Sequence, residues 1–385
     1  MRYYATRNAR RGEWRVRAGI LCAALVVCAC SYAQWQVNDL HGIYVPNQSG
    51  SANYAWRISE GQNPYIVGQA GQGIFGFPVA YRYHLGVNPQ GSPGVVISGA
   101  VAYGVNNHGW FVGRLTAGQQ AMVWHPTYGA RPISAPAGMR PNTAFDINDN
   151  GVIVGYAPGG FFETPGGFVS YFDPSDGSTT TFYLDQTFGN PSAGTSINNN
   201  GTAGGGVGVS IGFFAEPYIE PGGFGAAAAG WISLAGGAGN FVGAPIVPSG
   251  HGGQAALIWD ISDGAIPQYA AAWAGTGSTA VPLVYIWNGV NFRYDVVALP
   301  LLPGATGGRA YGINNLGHVV GYSITPQGNR ATLWWFDGTT WRAVDLTALA
   351  QGSGYAGWTL YGALDINNNM CIVGYGLDPQ SRLTS

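Results

Sequence analysis

The chain contains no lysine. That excludes a Walker A phosphate loop and any Schiff-base chemistry, since both depend on the lysine amine. Charge of either sign is scarce, with Asp, Glu, Lys and Arg at 9% of residues against about 25% in an average domain. Cysteine is scarcer still. Of the 4 cysteines, Cys22, Cys28 and Cys30 fall in one N-terminal segment, and Cys371 stands alone in the remainder. An internal disulfide framework is therefore excluded beyond that segment, and stability must come from burial and hydrogen bonding. No apolar run reaches the roughly 20 residues of a membrane-spanning helix. No stretch sustains helical periodicity, and 63 glycines and 23 prolines would interrupt one.

The N-terminal segment has its own pattern. Arg2, Arg7, Arg10, Arg11, Arg15 and Arg17 precede an apolar run over 18–30, and Ser31, Tyr32 and Ala33 form a small-x-small site. This reads as a secretory signal over 1–33, cleaved after Ala33. Lipoprotein processing at Cys30 is the alternative, with Cys28 a poor fit before it. The expected address is secreted, periplasmic or cell-surface. Six of the 16 basic residues and one of the 18 acidic ones, Glu13, lie in this leader. The remaining chain keeps ten against 17, a net charge of −7. Nucleic acid and anionic membrane are poor partners for such a surface. Low charge with abundant glycine could mean disorder, but 46% apolar and 13% aromatic residues predict a folded core over 34–385.

What the chain has in plenty is one phrase. AYGVNNHGWFVG at 102–113 returns as AFDINDNGVIVG at 144–155, AYGINNLGHVVG at 310–321 and ALDINNNMCIVG at 363–374. SINNNG at 196–201 repeats its first half. The copy starting at Ala310 shows the unit. Two short alternating strands flank the Asn315-Leu316-Gly317 turn, a third strand covers 331–336, and Asp337-Gly338 turns into a fourth over 341–346. Four antiparallel strands in about 40–50 residues make a propeller blade. Outer hairpins of the same kind are expected around Asp176-Gly177, Asn288-Gly289 and 124–129, and around Asp263-Gly264 between Trp259 and Tyr269. Degenerate phrases are read at 55–68 and at 231–243. The expected fold is an all-β propeller of seven four-stranded blades in one domain, although six or eight fit the region 205–300 as well. The last copy stops before a fourth strand. Residues 35–40, WQVNDL, resemble WRAVDL at 341–346 and are expected to complete that blade and close the ring.

The pattern A-x-x-I-N-x-x-G-x-V-V-G, then R-A-x-L-W, then D-L, resembles the HAF family of extracellular repeats of bacterial exported proteins. The resemblance covers nearly all of 34–385, sharply in four copies. It implies a secreted repetitive β protein and offers no catalytic residues to transfer.

Chemical motifs are sparse. Residues 208–212 match a nucleophile elbow and 71–76 match G-x-G-x-x-G, but both need a following helix and both arise by chance at this glycine content. The six histidines show no metal-ligand spacing. Asp146, Asn148 and Asn150 match the opening of a calcium loop, D-x-N-x-N-G, without the chelating Glu at its end. The competing reading makes them hairpin-turn residues, and no other cofactor is indicated. The 13 tryptophans and 22 tyrosines read as packing between blades. Aromatics outside the phrase, Phe161, Phe162, Phe213, Phe214 and Tyr218, are the better ligand candidates. Function is expected where the phrase fails, at 159–167 and 205–285. Two functions compete. One is a monomeric, non-catalytic exported module that binds a protein, glycan or surface. The other is a carbohydrate-active enzyme with carboxylates at one mouth of the ring.

Overall fold

Each phrase folds as a hairpin whose turn is held by its own asparagine. Asn148 shows the device. Its Oδ1 accepts from Asn150 N at 3.0 Å and Val152 N at 2.9 Å, an Asx turn that competes successfully with continued strand. Gly151 then takes φ of 76°. Asn106, Asn198, Asn314 and Asn367 repeat the same bonds.

The computed structural model describes residues 54–71, 78–88, 94–134, 140–157, 166–183, 192–207, 209–212, 218–221, 229–233, 241–243, 256–275, 277–379 and 383–384, and the short pairs at 6–7 and 14–15. Among these, six four-stranded antiparallel sheets and one three-stranded sheet follow one another. They span 54–98, 100–132, 143–183, 192–243, 256–298, 307–345 and 359–384 and are numbered here as blades one to seven. Strand order within each sheet follows the chain, so every phrase supplies its blade's first, inner strand. The ring meets end to start. Ile58 N in blade one donates to Asp365 Oδ2 in blade seven at 2.9 Å. Neighbouring blades share apolar layers, such as Val112, Val123 and Ile133 of blade two against Ala144, Ile147 and Ile153 of blade three. Burial of such aliphatic side chains contributes roughly 1.5–3 kcal/mol each.

The propeller expected from the phrase is present, but two of its parts are exchanged. Residues 231–243 do not start a blade. Ala229–Ser233 and Phe241–Gly243 are the third and fourth strands of blade four, after Ser192–Ile197 and Ala203–Val207; Ala229–Ser233 pairs with Ala203–Val207 and Phe241–Gly243 with Ala229–Ser233. Ala256–Ile261, expected in an outer hairpin, is instead the inner strand of blade five. Ser262 explains the exchange. Like Ser59 of blade one, it stands where the other copies have asparagine, and its Oγ accepts from Tyr269 N at 3.0 Å, so a serine closes the hairpin. Blade seven ends in the two-residue strand Leu383–Thr384. The expected closing strand 35–40 lies outside the described residues. A seven-residue helix, Leu346–Gly352, capped by the Asp345 carboxylate, follows blade six and is too short to show as periodicity.

Candidate functional site: the axial well

Every inner strand carries a bulge at the same place. The register skips one residue between Ala55 and Arg57, Ala102 and Gly104, Ala144 and Asp146, Gly194 and Ser196, Ile258 and Asp260, Ala310 and Gly312, and Ala363 and Asp365. A bulge re-aims the skipped side chain and its neighbour. The skipped residues include Trp56, Tyr103, Phe145, Trp259 and Tyr311. Their rings meet in series at centroid distances of 5.8, 5.8, 6.4 and 5.3 Å. Phe145 of blade three reaches Trp259 of blade five past blade four, so these aromatics fill the axis of the ring.

Directly beside this aromatic layer stands the next phrase position. Arg57 of blade one faces Asp146, Asp260 and Asp365 of blades three, five and seven. Arg57 Nη2 lies 3.2 Å from Asp146 Oδ2, and Nη1 lies 3.1 Å from Asp260 Oδ1 and 3.7 Å from Asp365 Oδ1. The four side chains floor a depression of about 110 Å³ and are all buried, at 8% exposure or less. Each carboxylate also takes a backbone N–H from the following blade: Asp146 from Ile197 N, Asp260 from Ile313 N, Asp365 from Ile58 N, all at 2.9–3.0 Å. Gly104 and Gly312 occupy the same position in blades two and six. A Cβ there would fall 2.6 and 2.7 Å from the Cα atoms of Asp146 and Asp365.

One positive charge faces three buried carboxyls, and the low-dielectric setting penalises the imbalance. Burial opposes the Arg57 charge, but the three carboxylates outweigh it and hold the guanidinium charged above its ordinary range. Burial pushes Asp146 and Asp365 up against the pull of Arg57. The same cause takes Asp260 up to about 8. At neutral pH the well therefore favours retaining a proton, shared between Asp260 and Asp365.

The rim is a closed circle of turn residues: Glu60, Asn107, Asp149, Asn199, Asp263, Asn315 and Asn368. Each donates its backbone N–H to the side-chain oxygen of the next, at 2.7–3.4 Å, and Asn368 N returns to Glu60. One residue earlier, the amides of Asn106, Asn148, Asn198, Asn314 and Asn367 each donate to the next blade's carbonyl. Ser59 and Ser262 lack that amide. The phrase asparagines thus serve twice, closing their own turn and clipping the neighbour.

Asp146, Asn148 and Asn150 do not converge on one point of their own loop. Asp146 turns into the axial well, the Asn148 amide bonds Asn198 O, and the Asn150 amide bonds Asn199 O at 3.1 Å. Among the described residues no group of three His, Cys, Asp or Glu is placed to hold a metal ion. Phe161, Phe162, Phe213, Phe214 and most of 159–167 lie outside the described residues. So do Gly208 of the elbow and 72–76 of the glycine motif. Arg57, Asp260 and Asp365 were not singled out as a site from sequence. Their signal is the third position of the aligned phrases, which reads Arg, Gly, Asp, Ser, Asp, Gly, Asp once the copy at 258–264 is recognised.

No family model matches the chain, and no curated protein sequence does. Solved structures match in fold. The β-propeller domain of the Trilobed protease from Pyrococcus furiosus, described as an open velcro topology, aligns at TM-score 0.50 and 12% identity, over 86% of this chain and 92% of that one. The acylaminoacyl peptidase of Pyrococcus horikoshii aligns at TM-score 0.50 and 12% identity, over 84% of this chain and 49% of that one. This chain thus spans about half of that peptidase. At this identity the likeness is one of propeller fold.

Proposed function

We propose that this chain is an exported, non-catalytic propeller that binds a partner through the face bearing the axial well. The carrying observation is the commitment of the well's carboxylates. Asp146, Asp260 and Asp365 each bond Arg57 or sit beside it, and each clips the next blade's backbone. Groups engaged in this way hold the ring and leave no free base to attack a substrate. The basic leader with its apolar run supports export, and the likeness of the phrase to HAF repeats supports an extracellular role. Propellers host both binding and catalysis, so fold alone does not choose.

One observation favours the second reading, a hydrolase acting on extracellular carbohydrate. Carboxyls do cluster at one mouth, and Asp260, with its pKa pushed up to about 8, has the character of a general acid. A glycan array and a parallel hydrolysis screen on the chain from Gln34 onward separate the two. Retention without product supports the module. Turnover abolished by Asp260→Asn supports the hydrolase.

A further inference from the structure

In a four-stranded antiparallel blade the first and third turns lie at the same end, which here is the end with the well. Five of the eight exposed large hydrophobics among the described residues sit on or directly beside such turns of blades five and six: Ile266, Val290, Phe292, Leu316 and Phe336. Val290 and Phe292 are 87% and 78% exposed. These turns adjoin. Asn315 Nδ2 donates to Asp263 Oδ2 at 3.0 Å, tying the turn of Leu316 to that of Ile266. Gln268 Nε2 bonds Trp287 O, and Trp287 N bonds Gln268 O, tying the inner turn of blade five to its outer one. Trp341, 5.9 Å from the Phe336 ring, packs in one cluster with Tyr269 and Ile286 of blade five. The tip itself is held. Asn288 Oδ1 accepts from Val290 N and Asn291 N, and its amide reaches Asp295 at 2.7 Å. Phe292 keeps φ of 49°, a conformation an aromatic residue rarely adopts in open solvent. Apolar side chains gathered on one sector mark an interaction surface.

Charge selects the occupant. The turns of this face carry Glu60, Asp149, Asp173, Asp176, Asp263 and Asp337. Among the arginines near them whose side chains are described, Arg82 donates to Gly109 O and stacks on Tyr65 and Trp124, Arg131 stacks on Tyr128, and Arg342 pairs with Asp337. An anionic lipid surface meets repulsion here, whereas a cationic segment meets attraction.

We infer that the blade five–six sector docks a basic protein segment, with lysines or arginines over the acidic rim and apolar side chains on Val290, Phe292 and Leu316. This rests on the binding-module reading above. Fluorescence anisotropy tests it with a labelled peptide alternating lysine with leucine and phenylalanine. The comparison probes are the same peptide with glutamate for lysine, phosphatidylserine-containing vesicles, and an oligosaccharide panel. The lysine peptide is expected to bind, with affinity falling about tenfold or more in V290S/F292S/L316S. It should also weaken as salt screens the rim and in D149N/D263N, which keep an oxygen for the backbone N–H groups of Asn107 and Asn199 but give up the acceptors of the Asn107 and Asn315 amides. Absence of binding, equal binding of the glutamate peptide, or unchanged affinity in the triple variant overturns the inference. Preferential capture of vesicles or oligosaccharides at the same residues also overturns it, while leaving the module reading standing. Hydrolysis of the oligosaccharides would remove the module reading itself.

Discussion

Arg57 Nη1 of blade one lies 3.1 Å from Asp260 Oδ1 of blade five, so one guanidinium ties sheets that are not neighbours in the ring. The same side chain holds Asp146 and Asp365. Circumferential bonds join each blade to the next, whereas this contact spans the axis. Removing Arg57 would strand three buried carboxyls. Arg57→Met is expected to destabilise by about 3–5 kcal/mol in a denaturant melt. Arg57→Lys should restore little, because a point ammonium lacks the fork that reaches several carboxylates. A loss below about 1 kcal/mol, typical of surface pairs, would contradict this role.

The glycine that ends the phrase in every blade but the fifth, where Ala272 takes its place, is a packing requirement. A Cβ on Gly113 would lie 1.8 Å from Val101 O, and equivalent positions Gly155 and Gly321 meet Thr143 O at 2.2 Å and Arg309 O at 1.9 Å. The bulge presses the inner strand's carbonyl onto its neighbour. Gly113→Ala should cost about 3 kcal/mol or more, the upper range of overpacking. Gly118→Ala is the control. Its φ is 78° with nothing within 4 Å, so about 1–2 kcal/mol is expected from the backbone alone. Paired thermal melts check the difference.

The rim N–H donors need only a side-chain oxygen, which Asp and Asn both supply; the second bond of Asp149, Oδ2 accepting the Asn107 amide, is exposed, where water replaces it. Asparagine already stands at 107, 199, 315 and 368. Asp149→Asn is expected to stay within about 0.5 kcal/mol of the parent. Asp149→Ala, which leaves Asn107 N without its acceptor, should lose about 1 kcal/mol. An alanine variant as stable as the parent would show that this link of the circle contributes nothing.

Calcium remains a proposal for Asp146, Asn148 and Asn150. An ion there competes with existing donors: Asn148 Oδ1 holds two backbone N–H groups, and Asp146 holds Ile147 N, Ile197 N and Arg57. Millimolar calcium is therefore expected to leave the melting temperature unchanged. Stabilisation rising toward about 2.7 kcal/mol as calcium reaches a hundredfold excess over its dissociation constant would establish a site.

The fold was legible because the phrase carries its own turn chemistry. Asn148 and Gly151 dictate a hairpin without help from the remainder of the chain, and so do their counterparts at 106–109 and 314–317. Blades four and five were misread because Trp231 and Trp259 both sit in short aromatic β segments. What separates them is Ser262, a hydroxyl doing the work of an asparagine. The well was illegible for a different reason. Asp146 within its own copy looks like a loop ligand. Only closure of the ring brings it to Arg57, Asp260 and Asp365, which arrive from three other blades. The apolar tips at Val290 and Phe292 were hidden likewise, since an exposed phenylalanine and a packed one read alike in sequence.

The pH dependence of stability in the parent and in Asp260→Asn tests the axial lock most directly. Asp260 in the folded chain is pushed up to about 8, against about 3.9 when unfolded. Between these values the folded state binds the extra proton, so this group's contribution is fully present below about pH 4 and is lost as pH rises through about 8. The asparagine variant has no such proton. The melting temperature of the parent relative to the variant is predicted to fall steadily from pH 4 to pH 8. A parent–variant difference that stays flat across that window and changes only below about pH 4 would mean an ordinary ionised salt bridge, and would contradict a well in which one arginine faces three carboxyls.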